Sequence, residues 1–394
     1  MSEPGRLHVK LLMPLAPPQA GGATEYARLL CETLPSAARV VSVELLTQRT
    51  EQASQATIGQ ARVRAELPVV FGAAGGLASR LIAYAGHNAH VMKAMWGWHR
   101  AAAQHRRKCG ADRWVVLVHS GYSRRTTAVS GWVAWLRRLL GHGPAYVLDV
   151  RDPLNTEATL GGFGRFEGAI GCSWEIVDQL QAVWPEARIG ALPVPFEAVD
   201  IGDDEVDRAL ARHGLTRGRY VFGPGGIVTL KGFEKMFDAW EKLRETSDEL
   251  PLVTVGRRRP VERDVDAAMR REPGLKHLGE VPRREVLALM KGAGVAVLPS
   301  LPGVEGVPRA ALEGLSVGAV GLWPATREFV EAMPGSVAAG DTEALAGQMR
   351  AALGGDQAVG RGGYDWRRHE ASAVAGEYVA WLGAVAGLDE AADE

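Results

Sequence analysis

The feature that most constrains this chain is a strand, loop and helix within residues 295–316. Apolar residues from Val295 to Leu298 form a predicted buried strand, and a loop rich in proline and glycine follows it. Pro308 opens the predicted helix, because proline needs no amide partner at the first helical position. Similar β-branched strands alternate with helices along both halves of the chain, which predicts parallel βαβ units.

Two glutamates of this segment are spaced to contact one ligand. Glu305 lies in the loop just before the helix, and Glu313 follows eight residues later on its second or third turn. Positions so spaced on a helix differ by about 80° around its axis. Carboxylates accept hydrogen bonds from pairs of hydroxyls, and amides at a helix start bind phosphate, so a nucleotide sugar would suit both. Ordinary capping also explains a glutamate at a helix start.

The chain is long enough for two domains with full cores, at 394 residues of which 46% are hydrophobic. Pro193-Val194-Pro195 has the composition of a linker. We therefore predict an N-terminal domain at 1–195, a second domain at 196–363 and a last helix within 364–388. The polar run from Thr47 to Thr57 is predicted to be a loop.

The glutamate spacing, between a strand ending in Pro299-Ser300 and a helix of small residues, resembles the signature of the retaining glycosyltransferases of family 4. The similarity extends more weakly from Gly21 to about Trp366. It implies an α/β fold of the GT-B type, in which two Rossmann-like domains with parallel sheets face a central cleft. It also implies that the last helix crosses back to the N-terminal domain.

The resemblance also implies roles for particular residues. Glu313 would bind the ribose hydroxyls, Lys231 the donor diphosphate and Glu305 the sugar, while His119 would lie near the reacting carbon. Catalysis would therefore involve Glu305, His119 and Lys231. The predicted donor-binding residues are Gly21, Gly22, Lys231, Glu305, Gly306, Val307, Glu313 and Arg257.

One position departs from the family pattern. The family has an arginine five residues before the lysine, and this chain has Gly226 there. Arg257 follows a neighbouring predicted strand and could supply the missing cation, or Arg257 to Arg259 could be a solvated turn.

Three further segments have alternative interpretations. Gly21 and Gly22 form either an anion-binding turn or a plain tight turn. His119, at the end of the predicted strand 114–118, is either structural or near the ligand, since ligands collect at the carboxyl ends of parallel strands. Arg151-Asp152 is interpreted first as an ion pair that holds its loop and second as part of an acceptor site.

Charge and cysteine usage limit the partners. The net charge of −1 gives no general attraction to nucleic acid or anionic membranes. Basic residues at the end of the predicted helix 76–108, together with Arg124, Arg125, Arg137 and Arg138, leave open an anionic acceptor or a peripheral membrane contact. Three cysteines without metal or disulfide spacing, and no signal-like or membrane-spanning apolar run, favour a cytoplasmic protein.

The sequence thus predicts a glycosyltransferase that moves a sugar from a nucleoside diphosphate sugar to an unidentified acceptor with retention of configuration. No Asp/His constellation suggests a metal, so we expect neither a metal nor a cofactor. Three alternatives remain: a GT-B protein that binds without full catalysis, a sugar-nucleotide epimerase, and a transferase that acts on modified nucleic acid.

Overall fold

The computed structural model describes residues 5–13, 22–48, 57–67, 77–108, 111–119, 143–151, 166–245, 250–258, 265–330, 341–356 and 363–388. The chain divides into two compact units, which we call unit 1 and unit 2. Unit 1 comprises Met1–Glu197 with Arg368–Glu394, and unit 2 comprises Ala198–Arg367. Each contains a largely parallel sheet with helices, which confirms the predicted two-domain α/β organisation.

Unit 1 is built on an eight-stranded sheet. In chain order its strands are β1 Leu7–Leu12, β2 Val40–Gln48, β3 Thr57–Ile58, β4 Ala61–Leu67, β5 Arg113–His119, β6 Ala145–Val150, β7 Gly168–Gly171 and β8 Arg188–Ala191. Their order across the sheet is β3-β4-β2-β1-β5-β6-β7-β8. Every neighbouring pair is parallel except β3 and β4. All residues of β1 and β6 are buried, as expected for strands covered on both faces.

The helices described in unit 1 are α1 Gly22–Thr33, α2 Leu77–Arg106, α3 Trp174–Val183 and α11 Ala371–Val385. Ser173 starts α3 by accepting a hydrogen bond from the amide of Ile176 at 3.3 Å. Helix α11 packs into the core of unit 1, where Val374, Tyr378 and Leu382 join the apolar residues of β1. Helix α11 and strand β1, which are far apart in the sequence, therefore share one hydrophobic core.

Unit 2 has a five-stranded parallel sheet. Its strands are β9 Val221–Gly223, β10 Leu252–Thr254, β11 Leu275–His277, β12 Val295–Val297 and β13 Gly321–Leu322. Its helices are α4 Asp203–His213, α5 Phe233–Arg244, α6 Val265–Arg271, α7 Arg283–Gly292, α8 Arg309–Ser316, α9 Arg327–Val330 and α10 Thr342–Leu353. Aromatic side chains of α5, including Phe237 and Trp240, fill its core.

Each sheet has a central point at which the strand order reverses. In unit 2 the order is β11-β10-β9-β12-β13, so the chain builds outward from β9 in one direction and then crosses to start β12 on the other side. In unit 1 the corresponding reversal lies between β1 and β5. In open α/β sheets such reversal points open a crevice at the carboxyl ends of the strands. The fold therefore indicates one candidate ligand edge in each unit.

The predicted loop from Thr47 to Thr57 is wrong at both ends. Thr47 and Gln48 extend β2 by pairing with β4, and Thr57 belongs to β3. The pairing partner lies further along the chain, so local polarity did not reveal it. In the described parts of the chain, no helix has both the length and the apolar character required to cross a membrane.

Candidate functional site

The loops after β9 and β12 meet at the reversal point of unit 2. The loop after β9 contains a short 3-10 helix, Thr229–Lys231, and then Gly232 in the left-handed region (φ 74°). A Cβ at Gly232 would collide with the carbonyl oxygen of Pro299. The amide of Leu301 also donates to the carbonyl oxygen of Leu230 at 3.1 Å. This backbone contact brings Lys231 and Glu305 to the same edge of the sheet in unit 2.

Lys231 and Glu305 form an ion pair at this edge. Lys231 Nζ donates to Glu305 Oε1, and the hydroxyl of the buried Ser300 donates to the same oxygen at 3.2 Å. The Glu305 side chain is 11% exposed, whereas that of Lys231 is 35% exposed. The carboxylate is thus oriented from within the protein, while the ammonium retains access to solvent.

Glu313 is held by a second cation. It lies on the second turn of α8, and its Oε1 accepts a hydrogen bond from Arg283 Nε at 3.0 Å. Arg283 is the first residue of α7, and the sequence offered no signal for this contact. Both glutamates therefore have Oε1 paired with a cation, and Oε2 of each makes no hydrogen bond to any residue that the structure describes.

The start of α8 differs slightly from the prediction. Pro308 is the N-cap, with an extended ψ of 120°, and Arg309 is the first helical residue. The amides of Ala311 and Leu312 donate hydrogen bonds to the carbonyl oxygen of Pro308 at 3.0 and 3.3 Å. Gly306 and Val307 are buried in the turn just before this cap. Both residues therefore lie between Glu305 and the first turn of α8.

Gly226 has a structural reason to be glycine. Its φ is 74°, and a Cβ there would collide with the backbone carbonyl oxygen of Arg257. That oxygen also accepts a hydrogen bond from the amide of Ile227 at 3.1 Å. The loop after β10 therefore excludes the arginine side chain that the family pattern places at this position.

The side chain of Arg257 lies just past the carboxyl end of β10. Its Nε donates to Glu280 at 2.9 Å, and both side chains are more than half exposed. An exposed ion pair contributes only about 0–1 kcal/mol, so it would hold the guanidinium weakly. Both interpretations of Arg257, diphosphate ligand or solvated turn, remain open predictions.

In unit 1, His119 ends β5 at the reversal point of the sheet. Its ring is buried and tilted against Tyr26, with the centroids 5.9 Å apart. Burial lowers the pKa of His119; the charge of Asp149 opposes this shift and that of Arg151 adds to it. The ring is therefore neutral at neutral pH and suited to hydrogen bonding rather than to providing a positive charge.

Arg151 takes part in a buried network beside His119. Its Nη2 lies 2.5 Å from Asp149 Oδ1 and donates to the hydroxyls of Tyr26 and Tyr378. Its guanidinium also lies 4.2 Å from the centroid of the Tyr26 ring. The network ties the end of β6 to α1 and α11. The predicted partner Asp152 lies outside the described residues.

The remaining predicted residues are either at the start of α1 or outside the described residues. Gly22 is the first residue of α1, which follows β1 in the chain, while Gly21 lies outside the described residues. Arg124, Arg125, Arg137 and Arg138 also lie outside them. The fold adds Ser300, Arg283 and Asp149 to the candidate sites. Ser300 had a signal in the Pro-Ser end of its strand, but Arg283 and Asp149 had none.

Residues 219–354, within unit 2, match the family model described as "Glycosyl transferases group 1". A comparison with curated proteins found no match. The crystal structure of Anabaena Alr3699/HepE in complex with UDP-glucose is similar, with 13% identity, coverage of 98% of this chain and 99% of that chain, and a TM-score of 0.63. The chain has the GT-B fold.

Two further GT-B structures have similar TM-scores to the chain. The α,α-trehalose 6-phosphate synthase from Burkholderia multivorans is 15% identical, with coverage of 100% and 99% and a TM-score of 0.63. The α,α-trehalose-phosphate synthase (UDP-forming) from Burkholderia xenovorans, in complex with glucose-6-phosphate, is 13% identical, with coverage of 96% and 100% and a TM-score of 0.61. At such identities the similarity is one of fold.

Proposed function

We propose that this protein transfers a sugar from a nucleoside diphosphate sugar to an acceptor with retention of configuration, as the family 4 enzymes do. The observation that carries the proposal is the Lys231–Glu305 pair at the reversal point of unit 2. This unit contains the segment that matches the glycosyltransferase family model. The pair combines a cation for a diphosphate with a carboxylate for sugar hydroxyls at one edge of one sheet.

The paired state of Lys231 is compatible with donor binding. An ammonium has three N–H donors, so Lys231 can keep its bond to Glu305 while it donates to a phosphate oxygen. Its partial exposure supports this dual role. In the transition state the departing diphosphate gains charge, and a cation with helix amides in place stabilises that charge without reorganisation.

The carboxylates would bind the two ends of the donor. Glu305 would accept hydrogen bonds from sugar hydroxyls through Oε2, since Oε1 is held by Lys231 and Ser300. Glu313 would accept from the ribose hydroxyls through its own Oε2, with Oε1 held by Arg283. Gly306 and Val307 would line the approach to α8. The family resemblance alone assigns His119 a place near the reacting carbon, and this role stays a prediction.

We further propose that transfer needs no metal ion, because Lys231 and helix amides replace the metal clamp. We expect the enzyme to act in the cytoplasm. The acceptor could be a small molecule, a glycan or a lipid, with nucleic acid a less favoured class. The exposed basic residues at the end of α2, including Arg106, Arg107 and Lys108, suit an anionic acceptor or a membrane surface.

A second function is favoured by one observation. Because the contact between Gly226 and Arg257 leaves no room for the usual arginine, the protein could bind a nucleotide sugar without efficient transfer. Turnover separates the two functions, since a binding protein would be stabilised by the donor without consuming it.

The test begins with thermal unfolding in the presence of UDP-glucose and of the corresponding GDP, ADP and dTDP sugars. A stabilising donor is then incubated with the enzyme, and release of the diphosphate and the anomeric configuration of the product are measured. Lys231→Ala should abolish most of the release, whereas Lys242→Ala, which removes an exposed lysine paired with Glu343, should not. Absence of both stabilisation and release with every donor would refute the proposal.

A further inference from the structure

Three potential metal ligands converge at the amino edge of the sheet in unit 1. His8 is the second residue of β1, Asp112 immediately precedes β5, and His105 lies in the last turn of α2. Because β1 and β5 are parallel neighbours, their first residues lie at the same edge. His119 ends β5 at the opposite edge. The three residues, which we call the His8 cluster, are thus separate from the proposed transfer site.

The ligand atoms of the His8 cluster face one another. His105 Nε2 lies 2.9 Å from Asp112 Oδ2, and His8 Nε2 lies 3.8 Å from the same oxygen. One ligand atom from each residue can be chosen so that all lie within 4.8 Å of one another. Ligands at about 2.0–2.1 Å from a tetrahedral ion are separated by about 3.3 Å, so shifts of a few tenths of an ångström would suffice for the two measured pairs.

Neighbouring residues orient two of the three ligand side chains, those of Asp112 and His8. Arg6 donates to Asp112 Oδ1 from its amide at 3.2 Å and its Nε at 3.4 Å, while its Nη2 lies 3.5 Å from Oδ2. His8 Nδ1 lies 2.8 Å from the hydroxyl of Ser42. Metal-binding histidines usually have such a partner on the second ring nitrogen, because it orients the ring and its tautomer.

One buried nitrogen of the His8 cluster lacks a hydrogen-bond partner among the described residues. His8 Nε2 is inaccessible to solvent and makes no hydrogen bond to any residue that the structure describes. The His8 residue as a whole is 8% exposed, and its ring stacks on Trp114 with centroids 4.9 Å apart. A buried polar atom without a partner costs free energy. This nitrogen is directed at the carboxylate but lies beyond hydrogen-bonding distance from it.

We propose that His8, His105 and Asp112 bind a divalent transition-metal ion, with Zn²⁺ the best fit. Two imidazole nitrogens and one carboxylate oxygen are a common zinc set, and water would complete the tetrahedron. On binding, His105 would coordinate through Nε2 as the neutral ring protonated at Nδ1, so that a proton on Nε2 passes to solvent while Nδ1 takes one from it. The nearby charge of Lys10 is balanced by Glu44, whose carboxylate lies 2.9 Å away.

The ion would stabilise unit 1 rather than take part in transfer. It would join the start of β1, the last turn of α2 and the start of β5, which are distant along the chain. Such a cross-link stabilises the folded state because the ligands do not form a site in the unfolded chain. The metal-free transfer mechanism proposed above is independent of this site.

The test uses the full chain after chelation and gel filtration. Zn²⁺ is titrated by calorimetry, zinc content is measured after dialysis, and thermal unfolding is recorded with and without Zn²⁺. We expect one tightly bound equivalent and a zinc-dependent rise in the unfolding temperature. His105→Gln should weaken binding by at least tenfold to a hundredfold, since even outer-shell changes have effects of that size.

His90→Ala is the matched control, because His90 is an exposed histidine on the same helix. It should bind zinc like the unmodified protein. If His105→Gln does not fold, Asp112→Asn is used as the variant instead. The unmodified protein is also titrated with Co²⁺, because the intensity of its visible absorption reports four-coordination. Failure of the unmodified chain to retain zinc, or equal binding by His105→Gln, would overturn the site. Donor turnover is measured separately, so either of these outcomes would leave the test of the proposed transferase activity unchanged.

Discussion

The reversal points of the two sheets hold their charges in different ways. In unit 2, Lys231 pairs with Glu305 while remaining 35% exposed, and each glutamate keeps one oxygen without a described partner. In unit 1, Asp149 is fully buried and Arg151 is 10% exposed, and both belong to a network with two tyrosines. The comparison teaches that similar topology supports a partly exposed ion pair in one unit and a buried network in the other.

The largest effect should follow from breaking the buried network. Arg151→Met leaves the carboxylate of Asp149 buried without its cation, and such changes cost about 3–5 kcal/mol. The free energy of unfolding is measured by denaturant titration. Arg208→Ala, which removes an exposed pair with Asp204, is the control and should change it by about 1 kcal/mol or less. Equal changes in the free energy of unfolding in the two variants would contradict the predicted difference between buried and exposed pairs.

The next effect concerns turnover. Removing one charge-assisted hydrogen bond to the diphosphate costs roughly 1.5–3 kcal/mol, so Lys231→Ala should lower turnover about tenfold to a hundredfold while the fold persists. Steady-state kinetics of Arg257→Ala decide whether this arginine supplies the second cation. A loss comparable to that of Lys231→Ala supports diphosphate contact, and a near-silent Arg257→Ala identifies a solvated turn.

The two glutamates should differ in the step they affect. Ribose contacts are equal in ground and transition states, so Glu313→Ala should weaken binding of the nucleoside diphosphate. Glu305→Ala should mainly lower turnover, because sugar contacts can strengthen during transfer. Calorimetric titration with the bare nucleoside diphosphate separates the roles. Equal losses of affinity in both variants would contradict them.

A smaller effect is expected in the pH dependence of stability. The pKa of His119 is below its ordinary value of 6.5 in the folded state, so the unfolded chain binds the proton first as the pH falls. The contribution of this group is fully present above pH 6.5 and is lost as the pH falls below that value. Unfolding of His119→Gln between pH 7.5 and 5.5 should therefore show a shallower loss than the unmodified protein. Parallel curves would argue against a neutral buried ring.

No effect on turnover is expected from chelation. In the proposed mechanism Lys231 and the helix amides would take the place of a metal clamp, so EDTA should leave the initial rate of donor cleavage unchanged at temperatures well below unfolding. The rate is measured immediately after chelation and again after addition of Mg²⁺ or Mn²⁺. A rate that falls with EDTA and returns with either ion would refute metal-free transfer.

Much of the fold could be predicted from local patterns. The apolar run at β12, the proline at the start of α8 and the alternation of strands and helices indicated two parallel-sheet domains. Strands β3 and β4 escaped prediction, because their stability depends on pairing with each other and with β2. The helical spacing argument for the two glutamates was also incomplete, since Glu305 lies in an irregular loop and its direction is decided by Ser300 and Lys231.

By itself, the sequence determined the elements and the types of charged group that follow them, because periodicity and turn chemistry act over a few residues. The tertiary structure alone decided the partners of those groups. Lys231 and Glu305 are 74 positions apart, and the residues of the His8 cluster come from three separate elements. Strand order brings such side chains together, and strand order depends on long-range packing that no local pattern encodes.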